Sequence, residues 1–298
     1  MNREMLKENR VHGDPMYPVS VYPITEIEGP MILDPHWHDE MEFLLVTEGK
    51  ALFQIDMAHY ELHAGQAVFI NSGELHAGFP IEDASCSFTA VVFHPELLGS
   101  SSYDVMQKKY VDPLLKKQVF PPTLISNEQP WELEVLQLLK QIIADNSAES
   151  PAYEFSTKAR LLLMMAQLFS QAPSAPPRKN YAADSYKLER IKSVIDYVHQ
   201  HFDEPLRLKD LAEQVNMSEG HFCRFFKQMM KKSPVEYMNH YRTQKAARLL
   251  ENSDKKIVEI AMDVGFDNLS YFITVFKQFV GCTPSQYRKQ VQRAVLEL

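Results

Sequence analysis

The sequence is poor in cysteine and has no long apolar run. Its three cysteines, Cys86, Cys223 and Cys282, form no Cys-x-x-Cys pair. This scatter argues against a disulfide framework and against a structural zinc site, and it indicates a reducing compartment. The longest apolar run, 161–166, is far shorter than the roughly 20 residues that span a bilayer. The first residues lack the apolar core of a signal peptide, so we expect a cytoplasmic protein with no membrane partner.

An excess of positive charge is also missing. The formal net charge is −8 at pH 7. The first 183 residues hold 13 basic and 24 acidic side chains, whereas the residues from Asp184 onward hold 18 and 15. The length of 298 residues favours two domains, and hydrophobic and charged shares of 45% and 23% are ordinary for a globular protein. A surface for a polyanion such as nucleic acid is therefore expected only in the C-terminal part.

The C-terminal part contains one pattern of residues twice. In the second copy, apolar residues at helical spacing predict a short helix that Gly265 ends, because glycine readily adopts a left-handed backbone conformation. A second helix with one aromatic side follows, with Asp267 or Asn268 as its cap and Gly281 at its end. The apolar positions are Ile257, Ile260, Ala261, Val264, Phe272, Val275, Phe276 and Phe279. Two short helices joined by a tight turn predict a helix-turn-helix motif.

The first copy lies about 50 residues upstream. Its first helix matches at an offset of 49 residues (Leu208 with Ile257) and its second at an offset of 50 (Phe222 with Phe272), so one inserted residue in the turn explains the step. A linking helix predicted over 234–251 would be about 27 Å long at the usual rise. Two helices held by this spacer suit successive major grooves, which lie roughly 34 Å apart on one face of DNA.

The segment 188–288 resembles the DNA-binding domain of the AraC/XylS family of bacterial transcription regulators. The motifs that carry the resemblance are Ile260-Ala261, Val264-Gly265-Phe266, Tyr271-Phe272, Phe276-Lys277, Gly281-x-Thr283-Pro284 and Tyr287-Arg288. They are highly specific and cover about a third of the chain. The resemblance implies an all-α domain with two helix-turn-helix motifs that binds double-stranded DNA. The alternative is a helical bundle that uses these aromatic residues only as core.

The side chains expected to face DNA lie mainly on the second helix of each motif. Arg224 is the strongest candidate for base recognition, because its guanidinium can pair with both acceptors of guanine. Leu269 and Ile273 cannot form hydrogen bonds, so they predict contact with thymine methyl groups and recognition by shape. The predicted set is Ser218, Glu219, Gly220, His221, Cys223, Arg224 and Lys227, then Asn268, Leu269, Ser270, Ile273, Thr274, Lys277 and Arg288. Because the basic excess is modest, we expect two such domains to act on one DNA site.

The first part of the chain carries short strands with alternating polarity. After the apolar residues 43–46 and a predicted turn at 48–50, strands are expected over 51–56, 60–63, 67–70, 75–79 and 87–94. Glycine-containing turn sequences separate several of them. Many short strands at regular spacing predict a small barrel or jelly roll.

A group of histidines precedes and follows the first strands. His36, His38 and Glu42 have the same parity, so on one extended strand their side chains would point to one face. His76 can join them from a neighbouring strand. This spacing resembles the two cupin motifs, with departures at Gly29, Asn71 and Pro80. Three imidazoles and one carboxylate suit a divalent transition metal such as zinc, manganese, iron or nickel.

Three roles for this group are open. The sensor domains of AraC-family regulators are cupin-like and generally bind a small effector, often a sugar, with no metal required. By that resemblance the effector pocket contains His36, Trp37, His38, Glu42 and His76, with Trp37 as a stacking surface for a sugar ring. The second role is a metal centre of the three histidines and Glu42, and the third is structural hydrogen bonding between strands.

Two helices with wide apolar stripes are predicted at 131–146 and 153–170. Their apolar surface exceeds what a small barrel needs, which predicts a homodimer interface of the antiparallel kind that the family uses. The alternative is that both helices only cover the barrel. Prolines at 173, 176 and 177 predict an extended linker over 173–186. The linker separates a sensing and dimerisation domain, 1–172, from a DNA-binding domain, 187–298, whose first helix is expected over 188–202.

These patterns predict an α+β protein of two domains: an N-terminal cupin-like barrel with dimerisation helices and a C-terminal double helix-turn-helix. We expect a transcription regulator that senses a small molecule, with no catalytic activity and no required cofactor. The alternative is a metal-dependent cupin enzyme, or a metal sensor, joined to a DNA-binding domain.

Overall fold

We describe a computed structural model of the protein, which defines residues 12–14, 16–27, 31–82, 85–99, 104–172 and 181–296. The chain divides between Leu188 and Glu189 into two compact units. Among the described residues, no helix combines the length and the apolar character that crossing a membrane requires.

The first unit is built on antiparallel strands. They are β1 (Val19–Ile27), β2 (Leu33–His36), β3 (Met41–Ile55), β4 (Ala58–His63), β5 (Ala67–Ile70), β6 (His76–Pro80), β7 (Cys86–Phe93) and β8 (Leu124–Ile125). One part of the sheet has the order β1-β7-β3-β5-β8, and in the other part β3 pairs with β4 and β6 while β6 pairs with β2. This antiparallel sheet domain confirms the predicted strand-rich N-terminal fold.

Strand β3 belongs to both parts of the sheet. The turn predicted at 48–50 is wrong, because the strand continues through it for 15 residues. Gly49 has a φ of +73°, and the pairing of β3 with β7 shifts register beside it, between Val46 and Glu48. Glycine permits this backbone conformation, so the chain bends at a bulge instead of reversing.

The two sides of β3 face different apolar cores. Phe43 and Leu45 pack with the helices of the unit, whereas Leu44 and Val46 pack in the space that both parts of the sheet surround. Successive side chains of a strand point to opposite faces, which explains this division. Glu42 has the parity of Leu44 and Val46, so its carboxylate is directed toward the space between the two parts.

Helices cover the other side of the sheet. A 3₁₀ helix (Pro95–Leu98), a π-helix (Gln107–Val111) and α1 (Asp112–Leu115) precede the longer helices α2 (Pro130–Ser147) and α3 (Tyr153–Gln171). The latter two confirm the predicted helices at 131–146 and 153–170. Their apolar stripes, however, pack against Phe43, Phe69 and Phe93 of the sheet. The stripes that suggested a homodimer interface therefore form the core of their own unit.

The second unit contains two copies of a helix pair. It begins within α4 (Tyr181–Gln200), whose residues up to Leu188 belong to the first unit. Its further helices are α5 (Leu208–Gln214), α6 (Glu219–Met230), α7 (Pro234–Asn252), α8 (Ile257–Asp263), α9 (Leu269–Val280) and α10 (Pro284–Leu296). The bounds of α5 and α8 differ by 49 residues and those of α6 and α9 by 50. The predicted double helix-turn-helix and the inserted residue are confirmed.

Two details of this unit differ from the prediction. Helix α4 begins at Tyr181, inside the segment predicted as linker, because no proline or glycine follows Pro177 there; residues 173–180 of that segment lie outside the described residues. Ser218 occupies the N-cap of α6, but its side chain makes no capping hydrogen bond. Asn268 does cap α9, accepting from the backbone N–H of Tyr271 at 2.9 Å.

Candidate functional site

Three histidines and one glutamate converge at one end of the sheet. His36 ends β2, Glu42 is near the start of β3, His76 begins β6, and His38 lies in the bend between β2 and β3. Each side chain offers one ligand atom, and these atoms all lie within 4.8 Å of one another. The single extended strand predicted for the first three residues is wrong. They meet because the chain bends at 38–40 and because His36 pairs with His76 across β2 and β6.

All three histidines are oriented in the same way. In each ring, Nδ1 lies within hydrogen-bond distance of a backbone carbonyl two residues away, and the carbonyl can only accept, so Nδ1 carries a proton. The pairs are His36 with Asp34 at 2.8 Å, His38 with Glu40 at 3.1 Å and His76 with Glu74 at 2.9 Å. The Nε2 atoms are then the ones that would bind a metal, after losing any proton they carry, as in metal sites whose histidines are held by outer acceptors.

Glu42 lies at the centre of this group. Its Oε2 is 3.1 Å from Nε2 of His38 and 3.5 Å from Nε2 of His76. Burial alone would raise the pKa of this carboxyl, which is 3% exposed, but the hydrogen bond with His38, the close approach of His76 and the charge of both rings outweigh burial and hold the pKa well below its usual range. The site therefore presents an ionised carboxylate surrounded by imidazoles.

His12 is a residue of this site that the sequence did not reveal. It is 5% exposed, its ring centroid lies 5.4 Å from that of His38, and its Nδ1 is 3.1 Å from the hydroxyl of Tyr22. His12 precedes β1 in a segment without strand periodicity, so no spacing signal links it to the other histidines. Trp37 is half-buried. Its predicted role as a stacking surface for a sugar ring stays a prediction.

Most predicted DNA-facing residues lie on α6 and α9 or at their N-caps, opposite the buried phenylalanines of each helix, whereas Arg288 lies on α10. The exposed ones are Ser218, Glu219, Gly220, His221, Arg224, Lys227, Asn268, Leu269, Ser270, Thr274 and Lys277, and the half-buried ones are Cys223, Ile273 and Arg288. Helices of both copies thus present a polar outer surface, interrupted by Leu269 and Ile273 in the second copy.

Some of these side chains have partners within the protein. Thr274 Oγ1 donates to the carbonyl of Ser270 at 2.9 Å, and a guanidinium N–H of Arg288 donates to the carbonyl of Lys255 at 2.7 Å. Arg288 therefore connects α10 to the loop before α8, and its predicted contact with DNA stays a prediction. Tyr271 was not predicted as a surface residue, yet it is 49% exposed at the start of α9.

The fold and these two surfaces define a two-domain, DNA-binding regulator with a separate ligand-binding unit. Residues 211–290 match a helix-turn-helix domain family, and residues 32–165 match the AraC-like ligand binding domain family.

Two relatives in sequence agree with this class. An uncharacterized HTH-type transcriptional regulator of Bacillus subtilis, YdeC, is 32% identical over 95% of this chain and 96% of its own length. The HTH-type transcriptional activator RhaR of Mannheimia succiniciproducens is 23% identical over 86% of this chain and 87% of its own. Apo ToxT of Vibrio cholerae is 16% identical with a TM-score of 0.43, covering 94% of this chain and 99% of that chain. The chain belongs to the AraC family of transcriptional regulators.

Proposed function

We propose that the N-terminal unit binds a small effector, a sugar or sugar derivative, at His36, His38, Glu42 and His76. The observation that carries this proposal is the convergence of four polar side chains, three of them fully buried, in a domain of the AraC-like ligand-binding family. Neighbouring hydroxyl groups of a sugar can donate to the Glu42 carboxylate and exchange hydrogen bonds with the imidazoles.

Effector binding is proposed to act through the arrangement of domains. A ligand shifts the population of domain arrangements only if it binds one arrangement more tightly than another. We propose that this shift changes how the DNA-binding units of a homodimer occupy paired DNA sites. Because relatives over nearly the full chain are transcription regulators, we propose that the site acts by binding and not by catalysis. The proposed place of action is the bacterial cytoplasm, where the chromosome lies.

A divalent transition metal is the second candidate occupant of the same site. The observation that favours it is the common orientation of the three histidines, each with Nδ1 on a carbonyl, together with Nε2 of His38 and His76 close to Glu42. Three Nε2 atoms and one carboxylate oxygen fit zinc, manganese, iron or nickel. Such an ion would itself be the signal, or it would hold an effector through its remaining coordination positions.

Thermal unfolding of the full-length protein separates the two occupants. The protein is heated with sugars, sugar phosphates and divalent metals, each with and without chelator. A ligand at about 100 times its dissociation constant adds about 2.7 kcal/mol to the stability of the unit that binds it. A sugar-dependent shift that survives chelator supports the sugar proposal, whereas stabilisation by one metal and loss on chelation support the metal centre.

The variant His38→Ala tests the location of the site. We expect it to remain folded and to lose the stabilisation by the ligand found in the panel. His63→Ala is the matched control, because His63 is an exposed histidine of β4 in the same unit. A full ligand response in His38→Ala would exclude the proposed site for either occupant.

We further propose that the protein self-associates through the outward sides of α2 and α3. Leu133, Phe155 and Leu163 are 53%, 81% and 57% exposed on these helices. Large apolar side chains that remain exposed on neighbouring helices are characteristic of protein interfaces.

A further inference from the structure

The linking helix α7 contacts both helix-turn-helix motifs through one buried arginine. Arg242 is 6% exposed. Its Nε donates to the carbonyl of Phe202 at 2.7 Å and its Nη2 to the carbonyl of Glu204 at 2.8 Å, in the loop between α4 and α5. The guanidinium also lies 5.7 Å from the ring centroid of Phe266, and a Cβ on Gly265 would be 2.8 Å from Nη2. Arg242 therefore connects the loop that precedes the first motif to the turn between the two helices of the second motif.

Asn239 provides a second connection from the same side of α7, three residues earlier. It is 8% exposed, and its Nδ2 donates to the hydroxyl of Tyr271 at 2.7 Å. Tyr271 lies in the first turn of α9, where the side chain of Asn268 caps its backbone N–H. The amide of Asn239 thus holds the N-terminal end of α9, the end of a recognition helix that reaches base edges.

Apolar packing between α7 and α9 brings these helices together. Ala246 and Leu250 of α7 share a core with Phe272 and Phe276 of α9. Apolar attraction has no preferred direction. A planar guanidinium with two carbonyl acceptors, together with a side-chain amide on a hydroxyl, does fix direction and distance.

We propose that Asn239 and Arg242 set the position of α9 relative to α6, so that the two motifs read DNA at one fixed spacing. The inference rests on the proposed DNA contacts of both helices. One inserted base pair displaces the second DNA segment by about 3.4 Å along the axis and rotates it by roughly 35°. A fixed α9 cannot follow this displacement, whereas a loosened α9 can.

The test compares two DNA duplexes. One is selected in vitro with the full-length protein, and the other has one base pair inserted between the two contacted segments. The ratio of the two dissociation constants is measured by fluorescence anisotropy for wild-type protein and for two variants. Tyr271→Phe removes only the acceptor hydroxyl, and Arg242→Lys keeps the charge but loses the planar fork.

Lys245→Met is the matched control. Lys245 lies on the same helix, and its ammonium packs over the rings of Tyr241 and Phe202 at 5.0 and 5.8 Å, on the side of the first motif. We expect the wild-type ratio to be about tenfold or more, the size of one disrupted base contact. The ratio should fall to about threefold or less in Tyr271→Phe and Arg242→Lys and keep its wild-type value in Lys245→Met.

Equal losses on both duplexes, with an unchanged ratio in Tyr271→Phe and Arg242→Lys, would show that these residues only stabilise the fold and would overturn the inference. A third duplex, with the second segment scrambled, identifies a failure of the DNA contacts themselves. If wild-type protein binds all three duplexes equally, α9 does not read DNA, and the inference fails together with the proposed role of that helix.

Discussion

Arg224 lies on the exposed side of α6, opposite the buried rings of Phe222 and Phe226. Gly220 lies one turn earlier on the same helix. A Cβ placed on Gly220 would meet only the Nη1 atom of Arg224, at 4.0 Å. Glycine therefore leaves open space beside the guanidinium, which the predicted pairing of Arg224 with a guanine would use.

We expect Arg224→Ala to weaken binding to selected DNA by about 1–3 kcal/mol and to leave binding to random DNA nearly unchanged, because base contacts carry the sequence information. Lys227→Ala, on the same side of α6, is the comparison and should weaken both by a similar factor. The measurement is a titration of both DNAs at one salt concentration. Equal losses for Arg224→Ala on selected and random DNA would contradict the base-reading role.

At the scale of the element, the turns of the two motifs place different residues in the left-handed conformation. Gly265 has a φ of +84° in the second turn, and Asn216 has a φ of +52° in the first. The backbone carbonyl of Phe202 and the guanidinium of Arg242 approach Gly265 so closely that a Cβ would overlap them. The glycine is therefore needed for close packing as well as for its backbone conformation.

Gly281 separates these two effects, since its φ is also +84° but no atom lies within 4 Å of its missing Cβ. We expect Gly281→Ala to lower the free energy of unfolding by about 1–2 kcal/mol, the cost of alanine in a left-handed conformation. Gly265→Ala should cost at least about 1 kcal/mol more, because a neighbour must also move. Urea unfolding of both variants measures the difference. If both variants lose the same unfolding free energy, the neighbours of Gly265 must move away from an added side chain without any loss of stability.

The sequence predicted the elements better than the contacts between them. The repeat offset located α5, α6, α8 and α9, because periodic apolar residues and caps are local signals. The alternation of side chains along a strand predicted that His36, His38 and Glu42 lie together. It could not predict the bend at 38–40 or the contact of His12 with His38, because both depend on how strands pair across the unit. Gly49 shows the same limit: a glycine between two apolar runs suits either a turn or a bulge, and only the pairing partners decide.

At the scale of the molecule, α2 and α3 carry apolar side chains on two different sides. The inward surface completes the core with the sheet. Leu163 and Phe155 remain exposed on the outward surface of α3, with Leu133 on α2. The homodimer proposal therefore rests on a few outward residues and not on the wide stripes of the sequence.

Leu163→Glu tests this surface. A glutamate at a contact between protomers loses its hydration and gains no partner in exchange. We therefore expect the dimer dissociation constant to rise at least about tenfold, which corresponds to about 1.4 kcal/mol of binding free energy. The thermal stability of the isolated protomer should change little, because Leu163 is 57% exposed. Sedimentation velocity over a range of concentrations measures the association.

Met262→Glu is the control, since Met262 is 64% exposed on α8 in the DNA-binding unit and undergoes the same change of charge. In Leu163→Glu, binding to DNA with two sites should weaken more than binding to DNA with one, because the second site is then engaged without the effective concentration that a dimer provides. Association as strong in Leu163→Glu as in Met262→Glu would place the dimer contact elsewhere on the protein. A loss confined to Leu163→Glu would link the outward side of α3 to the cooperation between two DNA-binding units.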